Sequence, residues 1–168
     1  MEGIFGSLNP EIQHALKKEA YFTPTPVQAQ TIPPQIEDRD LCGSAQTGTG
    51  KTAAFTIPLL QELAAEKSSP EGRRPRALIL APTRELAAQI GDSITAYGRF
   101  LQVTHTVIFG GVGMESQTRR LRRGVALLVA TPGRLLDHLG RKQVHLGHID
   151  VVVLDEADRM LDMGFLPD

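Results

Sequence analysis

A chain of 168 residues has the length of about one domain, and its 41% hydrophobic content is ordinary for a globular core. The formal net charge is −1, so overall charge gives no support for nucleic-acid binding, and any such contact must come from local sites. The sequence has no charged-then-apolar leader and no apolar run of about 18 residues. We therefore expect neither secretion nor a membrane span, and a cytoplasmic location. The single cysteine, Cys42, excludes an internal disulfide and is expected to be a small buried residue.

Helical and strand-like segments alternate along the chain. Asn9 and Pro10 predict the start of a first helix, and Pro26 that of a second. Leu41 and Cys42 are expected to form a short strand that enters a glycine-rich loop, with a helix from Lys51 to about Ala65. Continuous apolar strands separated by helices are typical of an α/β fold, with a mostly parallel sheet covered by helices on both faces. Four further strands are predicted at Ala77–Ala81, Val103–Phe109, Val125–Ala130 and Ile149–Leu154, and helices at about 83–97, 114–122 and 134–140.

The glycine-rich segment Ala45–Thr52 lies between a predicted strand and a predicted helix. Glycines at such a turn let backbone N–H groups face a polyphosphate, which also meets the positive end of the helix dipole. Lys51 is expected to reach the β- and γ-phosphates, and the hydroxyl of Thr52 to hold Mg²⁺. The first residue departs from the usual pattern, which has glycine where this chain has Ala45. The candidate nucleotide-binding residues of this loop are Gln46, Thr47, Gly48, Thr49, Gly50, Lys51 and Thr52.

Acidic residues follow the last predicted strand, where the run at 151–158 brings Asp155 and Glu156 to the strand's carboxyl end. Asp155 is predicted to hold Mg²⁺, and Glu156 to orient and deprotonate the attacking water, because hydrolysis needs both roles. A helix start is the alternative, since acidic residues favour the first helical turn, and Asp158 is open to that interpretation. Together with the phosphate loop, the pair predicts ATP hydrolysis with Lys51, Asp155 and Glu156 as catalytic residues.

Tyr21 and Gln28 flank a proline-rich turn and are candidates for contacting the base. An aromatic ring can stack on a base, and a glutamine amide can pair with the N6 donor and N7 acceptor of adenine. Guanine offers two acceptors along that edge, so the pattern favours ATP over GTP. From the residues alone, a core role for Tyr21 and a solvated helix position for Gln28 remain open.

Six motifs follow one another along the chain: Tyr21 with Pro24–Gln28, Ala45–Thr52, Pro82–Leu86, Gly110-Gly111, Thr131–Arg134 and Asp155–Asp158. In this order they closely resemble the motifs of the DEAD-box ATP-dependent RNA helicases, and the resemblance runs from Phe5 to Phe165. Residues 72–75 and 155–165 look most like the bacterial RhlE-type subgroup. The resemblance implies a RecA-like P-loop domain, with a Q-motif region at 1–36 and a core at 37–168, that uses ATP and Mg²⁺ and binds RNA.

The same resemblance makes Tyr21 and Gln28 the adenine contacts and assigns three motifs to the RNA backbone. Hydroxyls and helix N-terminal amides just after strands can bind phosphate oxygens, and such contacts carry little base information. RNA binding is therefore expected to tolerate any sequence. Ala20 is a departure, because the family usually has glycine before the aromatic residue. The implied RNA contacts are Pro82, Thr83, Arg84, Gly110, Gly111, Thr131, Pro132, Gly133 and Arg134.

The family continues with a further strand and a second RecA-like domain in cis, which supplies an arginine finger. We expect this chain to be truncated before its last strands. The missing strand would leave a slot in the middle of the sheet, between the phosphate-loop strand and the acidic strand, that a rearranged strand or another copy could fill by self-association. The expected function is an ATP-dependent RNA helicase domain that remodels short duplexes when paired with the second domain. The alternative is a nucleotide-binding switch without turnover, which is how we expect the chain alone to behave.

Two further features have less specific interpretations. Arg119, Arg120, Arg122 and Arg123 are expected to form a solvated face that complements a helix dipole, with an RNA-binding patch as the alternative. The five histidines show no metal-ligand spacing, and His138 is expected to be structural or solvated.

Overall fold

A computed structural model of the chain describes residues 3–46, 48–65 and 74–165. Thr47 of the predicted phosphate loop lies outside this range, as do residues 72 and 73 of the RhlE-like stretch. The described residues of 1–67 and 92–102 form one compact unit, and those of 68–91 and 103–168 form another. Within the described residues, no helix has the length and apolar character needed to cross a bilayer.

The first unit is helical. It contains a 3-10 helix at Gly3–Ser7, α1 (Pro10–Lys18), α2 (Pro26–Ile36), α3 (Lys51–Ala65) and the second part of α4 (Arg84–Tyr97). The predicted starts of the first three α-helices are confirmed. Its core is formed by fully buried apolar side chains, among them Phe5, Ile12, Leu16, Ile32, Ile57, Leu60 and Ile94.

Local caps explain where the first two helices begin. The Asn9 side chain accepts a hydrogen bond from the backbone N–H of Glu11 at 2.9 Å, and proline occupies the next position, where no N–H is needed. Thr25 and Gln28 form a capping box at the start of α2, in which each side chain accepts the backbone N–H of the other residue.

The second unit is built on a four-stranded, all-parallel sheet in the order β2-β3-β1-β4. The strands are β1 (Ala77–Leu80), β2 (His105–Ile108), β3 (Leu127–Ala130) and β4 (Val151–Leu154). The first part of α4 belongs to this unit. The unit's other helices are α5 (Met114–Arg123), α6 (Pro132–Gly140) and α7 (Ala157–Asp162).

Helices cover both faces of this sheet. Leu121 of α5 and Leu135 of α6 pack in one cluster with Leu128 of β3. On the opposite face α4 approaches β2 closely, because a Cβ placed on Gly91 would lie 2.5 Å from Cγ2 of Val107. A larger residue than glycine at this point of α4 would push the helix away from the sheet. The predicted α/β fold with a parallel sheet is therefore confirmed.

The predicted strand at Leu41 and Cys42 is wrong. The structure gives these residues no regular secondary structure; Leu41 is 45% exposed and Cys42 is exposed rather than buried. A strand requires a hydrogen-bonded neighbour, and two apolar residues have no partner in the described part of the sheet. β4 is an edge strand of the described sheet, and its Val152 and Leu154 side chains are more than half exposed. The described residues contain no slot in the middle of the sheet, because the predicted phosphate-loop strand does not form. Pairing of another strand or another copy at the edge of β4 stays a prediction.

α1 ends in a Schellman motif that has alanine at the left-handed position. The backbone N–H of Tyr21 donates to Leu16 O at 2.9 Å, and that of Ala20 to Lys17 O at 3.2 Å. Ala20 has φ +58°, a conformation that costs an L-residue free energy but not glycine. The departure from the family pattern at this position therefore leaves the turn in place and makes it strained.

Replacing Ala20 by glycine should raise the free energy of unfolding by about 1 kcal/mol, because the left-handed conformation would no longer strain a Cβ. Urea unfolding followed by circular dichroism measures the change. The matched control is Ala29→Gly at an exposed interior position of α2, which should instead lower stability by about 0.5–1 kcal/mol. Destabilisation by both substitutions would contradict the strain at Ala20.

Candidate functional site

The phosphate loop leads directly into the first turn of α3. Gly48 and Gly50 have φ +83° and +88°, which side chains other than glycine rarely adopt. The hydroxyl of Thr49 donates to Gln46 O at 2.7 Å and closes the turn. α3 then begins at Lys51, so its unpaired backbone N–H groups lie at the end of the loop. A glycine turn before a helix N-terminus is suited to bind an anionic group such as phosphate.

Gln28 connects α2 to this loop within the first unit. Its side chain is fully buried, its Nε2 donates to Gly50 O at 3.2 Å, and its Oε1 accepts from the backbone N–H of Thr25 at 3.0 Å. A Cβ on Gly50 would lie 2.5 Å from Gln28 Nε2, so the contact also requires glycine. The solvated alternative for Gln28 is therefore wrong. Its pairing with adenine stays a prediction.

Tyr21 follows the turn that ends α1 and is half-buried. Its ring meets that of Tyr97 edge to face, with 5.8 Å between centroids and 66° between planes. Burial, followed by the hydrogen bond with Tyr21, raises the pKa of Tyr97, so that hydroxyl stays protonated at neutral pH. Base stacking by Tyr21 stays a prediction.

In the second unit, Asp155 and Glu156 continue directly from β4. The backbone N–H of Asp155 donates to Leu80 O at 3.0 Å, and Asp155 Oδ1 accepts from the backbone N–H of Glu156 at 3.1 Å. Glu156 has φ +51° and ψ +47°, a left-handed conformation that is costly for a residue with a side chain. Such strain concentrates at functional sites because the surrounding structure must enforce it.

The helix-start interpretation applies to Asp158 and not to the side chain of Glu156. α7 begins at Ala157 with Asp158 in its first turn, and Glu156 precedes it without making a side-chain cap. Instead, Glu156 Oε2 pairs with Arg159 Nη1 at 3.3 Å. Sequence reasoning missed this pair, although the spacing of three residues around a helix start is a signal for it.

Most of the predicted RNA contacts line one groove of about 600 Å³. It lies after the carboxyl ends of β1, β2 and β3, the edge at which parallel sheets commonly bind ligands. Thr83 and Pro132 do not line it. The Thr83 hydroxyl instead accepts the backbone N–H of Leu86 at 3.2 Å and caps α4. The lining residues are Pro82, Arg84, Gly110, Gly111, Thr131, Gly133 and Arg134, together with Asp137 and Phe165, which the motifs did not indicate.

The two predicted RNA-binding arginines have different surroundings. Arg84 is 61% exposed and pairs with Glu85 at 2.7 Å, a hydrogen bond that lowers the pKa of the Glu85 carboxyl. Its guanidinium lies beside Gly111, where a Cβ would be 3.1 Å from Nη1. Arg134 is 11% exposed, and its Nη1 donates to Val112 O at 3.1 Å. Arg84 is therefore the more accessible phosphate donor, and Arg134 lines the groove while it holds the loop at Val112.

Side chains hold both ends of the glycine turn, defined here as residues 110–111. Gln117 Nε2 donates to Phe109 O at 2.9 Å on one side, and Arg134 donates to Val112 O on the other. Behind Gln117, buried His138 approaches Gln143 Oε1 at 2.7 Å and Gln117 Oε1 at 3.4 Å. His138 was predicted to be structural or solvated, and its burial shows that it is structural. The role of Gln117 was missed, since a single helical glutamine gives no sequence signal.

Acidification should destabilise the chain through His138. Burial lowers the pKa of His138 below its ordinary value of 6.5, so the unfolded chain binds this proton more readily than the folded chain. The contribution of His138 to the free energy of unfolding is therefore fully present above about pH 6.5, and it is lost as the pH falls toward the folded-state pKa. His105 adds a change of the same sign, because burial lowers its pKa as well.

The measurement is the urea midpoint across this pH range for the unmodified chain, His138→Gln and the exposed control His14→Gln. His138→Gln should be less stable at neutral pH, but its midpoint should change less on acidification. The control should keep the pH dependence of the unmodified chain. An unchanged pH slope in His138→Gln would rule out this source.

The described residues contain no cluster of three or more His, Cys, Asp or Glu able to hold a metal ion. Thr52 and Asp155 offer a hydroxyl and a carboxylate, which are oxygen donors of the kind Mg²⁺ prefers. Mg²⁺ commonly binds one or two carboxylates together with substrate phosphates instead of a protein cage. Taken separately, Thr52 in the first unit and Asp155 in the second are each donors of the kind that a nucleotide-bound cation takes.

Comparison with known proteins agrees with these motifs. The DEAD/DEAH box helicase family matches residues 25–168. The chain is 46% identical over 165 residues to "ATP-dependent RNA helicase DeaD" of Buchnera aphidicola (subsp. Schizaphis graminum), covering 98% of this chain and 27% of that protein. It is 43% identical over 162 residues to "DEAD-box ATP-dependent RNA helicase CshA" of Bacillus subtilis, covering 96% of this chain and 32% of that protein.

Solved structures similar to this chain include an RNA helicase and a DEAD box protein. The chain resembles the RNA helicase Prp28 from Chaetomium thermophilum bound to ADP, with a TM-score of 0.87 and 41% identity over 98% of this chain and 40% of that one. A DEAD box protein from Methanococcus jannaschii gives a TM-score of 0.86 and 35% identity over 96% of this chain and 43% of that one. The chain belongs to the DEAD/DEAH box helicase family, and its RecA-like fold is confirmed. It spans about a third or less of the two curated relatives, and the RhlE-type subgroup stays a prediction.

Proposed function

We propose that this chain is the ATP- and RNA-binding domain of an ATP-dependent RNA helicase. The observation that carries the proposal is the groove at the carboxyl ends of three strands, where three separate motifs of this family meet. The phosphate loop before α3, with Gly48 and Gly50 in left-handed conformations, supports the nucleotide half of the same proposal.

On the nucleotide side, the phosphate loop from Gln46 to Thr52 binds the triphosphate, and Lys51 contacts its terminal phosphates. Tyr21 and Gln28 bind the adenine. Thr52 and Asp155 would hold Mg²⁺, which neutralises charge on the phosphates when bound. Glu156 accepts the proton of the attacking water and orients that water.

On the RNA side, the groove binds the sugar-phosphate backbone. Arg84 donates charged hydrogen bonds to a phosphate, and the exposed glycine turn lets the strand approach the protein backbone. None of these contacts distinguishes one base from another, so the domain binds single-stranded RNA with little sequence preference.

In the proposed whole protein, a second RecA-like domain in cis completes both sites, and closure of the two domains remodels short duplexes. An arginine from that domain would accelerate hydrolysis by roughly 10³–10⁵. We propose that the 168-residue chain alone therefore binds ATP but turns it over slowly, as a switch module would. A cytoplasmic location and self-association of the chain are also proposals.

RNA binding by the chain is tested by fluorescence anisotropy with labelled single strands of unrelated sequence. Arg84→Gln should weaken binding by roughly three- to tenfold and reduce the slope of log K against log salt by about 0.7, as expected for one lost phosphate contact. The matched control is Arg99→Gln, which removes an arginine that is likewise paired with a glutamate, Glu19. Equal affinity of the unmodified chain and Arg84→Gln would contradict the role of the groove.

A further inference from the structure

Six exposed basic side chains gather on the second unit, away from the groove lining. Thr118 of α5 donates to Gln143 Oε1 at 2.8 Å, and Leu121 and Val144 share one buried cluster. The last turns of α5 and the segment after α6 are therefore neighbours. We name the exposed basic residues of these two segments the α5 basic surface, which consists of Arg119, Arg120, Arg122, Arg123, Arg141 and Lys142.

The charge of this surface is concentrated and largely unpaired. The chain as a whole has 18 Lys and Arg against 19 Asp and Glu, so a third of its basic residues lie in these two segments. Arg119 pairs with Glu115 at 3.4 Å, and the Glu115 side chain is 90% exposed. Within residues 3–46, 48–65 and 74–165, the other five side chains form no ion pair.

Helix dipoles explain part of this charge but not all of it. Basic residues in the last turn of a helix interact favourably with its carbonyl end, and both α5 and α6 end here. That effect is confined to the last turn, whereas Arg119 lies farther back on α5. Arg119 and Arg123 are also four residues apart, an arrangement in which like charges repel each other. A polyanion bound across the surface would relieve this repulsion.

The surface lies within reach of an RNA strand in the groove. α5 begins at Met114, directly after the loop that contains the glycine turn. At about 1.5 Å per residue, the helix covers about 13 Å between Met114 and Arg123. A stacked strand advances about 3.4 Å per nucleotide, so this distance corresponds to about four nucleotides. Five of the six side chains are arginines, whose forked guanidinium matches phosphate oxygens.

We propose that the α5 basic surface binds the phosphate backbone of RNA where the strand continues beyond the groove. This inference rests on the proposed RNA binding in the groove and extends it. It predicts that the surface adds affinity only for strands long enough to occupy both places, and that the contribution weakens with salt.

The test compares anisotropy titrations of the chain with a short single strand that fills only the groove and with one several nucleotides longer. For the longer strand, Arg120→Gln/Arg123→Gln should weaken binding by roughly three- to tenfold and reduce the salt slope by about 1.4, the value for two phosphate contacts. For the short strand, this variant should bind like the unmodified chain. The matched control is Lys17→Gln/Lys18→Gln, which removes two exposed charges from the end of α1.

The other outcomes distinguish failure of this inference from failure of the proposed function. If Arg84→Gln weakens binding of both strands while Arg120→Gln/Arg123→Gln binds the longer one like the unmodified chain, the surface is a solvated face; the inference fails and the proposed function stands. If the control variant loses as much affinity as the surface variant, the effect is one of total charge and the inference also fails. If the unmodified chain binds neither strand, both are overturned. Binding to anionic vesicles and not to RNA, lost in the same variant, would make the surface a membrane contact and overturn the inference.

Discussion

Replacing Gln28 by alanine should weaken ATP binding by roughly 10- to 100-fold and GTP binding much less, because a bidentate contact to a base contributes about 1–3 kcal/mol of discrimination. The two backbone bonds of Gln28 leave part of its hydrogen-bonding capacity unused, and because the side chain is fully buried, a base reaches it only when the residues that cover it move. A glutamine amide has two donor hydrogens and two acceptor lone pairs, and Thr25 N and Gly50 O each use one. The remaining hydrogen and lone pair can meet N7 and N6 of adenine. Calorimetric titration with ATP and GTP measures the difference.

Loss of Gln28 also leaves the backbone N–H of Thr25 without its acceptor, which should lower stability by about 1–3 kcal/mol, whereas Gly50 O keeps the hydrogen bond from Ala54 N–H at 3.0 Å. Gln35→Ala is the matched control, because Gln35 is also a glutamine of α2 that bonds a backbone carbonyl near the start of α3, with its Nε2 donating to Ala54 O at 2.9 Å. The control should lose stability without losing preference for ATP. Gln28→Glu separates the two effects further, since a carboxylate can still accept from Thr25 but cannot donate to Gly50. Equal losses for ATP and GTP in Gln28→Ala would exclude Gln28 as the adenine contact.

The regular elements follow from local sequence signals. Prolines at 10 and 26, preceded by Asn9 and Thr25, fix helix starts through caps that involve only neighbouring residues. The four predicted strands after residue 76 all form, each one to three residues shorter than predicted, because an apolar run extends beyond the residues that pair. Leu41 shows the limit of this reasoning. Its apolar character is real, but a strand also depends on a distant partner that local sequence does not reveal.

In the candidate site too, local sequence predicts some features, while others depend on distant parts of the chain. The motifs identified most of the groove residues, since loops after parallel strands converge at one edge of a sheet. They did not distinguish exposed Arg84 from the nearly buried Arg134, because burial depends on what packs above each side chain. Gln117 was missed for a related reason. Its partner is the main-chain carbonyl of Phe109, and a contact to a main-chain carbonyl requires no particular residue type at position 109.

Replacing Glu156 by glutamine should reduce RNA-stimulated ATP turnover of the proposed whole protein by roughly 10²- to 10⁴-fold, the usual contribution of a general base. ATP binding should be retained, because the substitution keeps the size of the side chain and removes its ability to accept a proton. The amide oxygen can still accept from Arg159, so the left-handed turn before α7 need not change. Steady-state phosphate release measures turnover, and calorimetry measures nucleotide affinity.

The control is Asp162→Asn, which makes the same change of charge at the other end of α7. It should leave turnover within about twofold, since an exposed carboxylate at a helix end affects stability by only about 0.3–1 kcal/mol. Glu156→Gln with normal turnover would rule out Glu156 as the base. Loss of ATP affinity in parallel with turnover would instead indicate that Glu156 is needed to hold the nucleotide, because a group that acts only in the transition state changes turnover without changing ground-state binding.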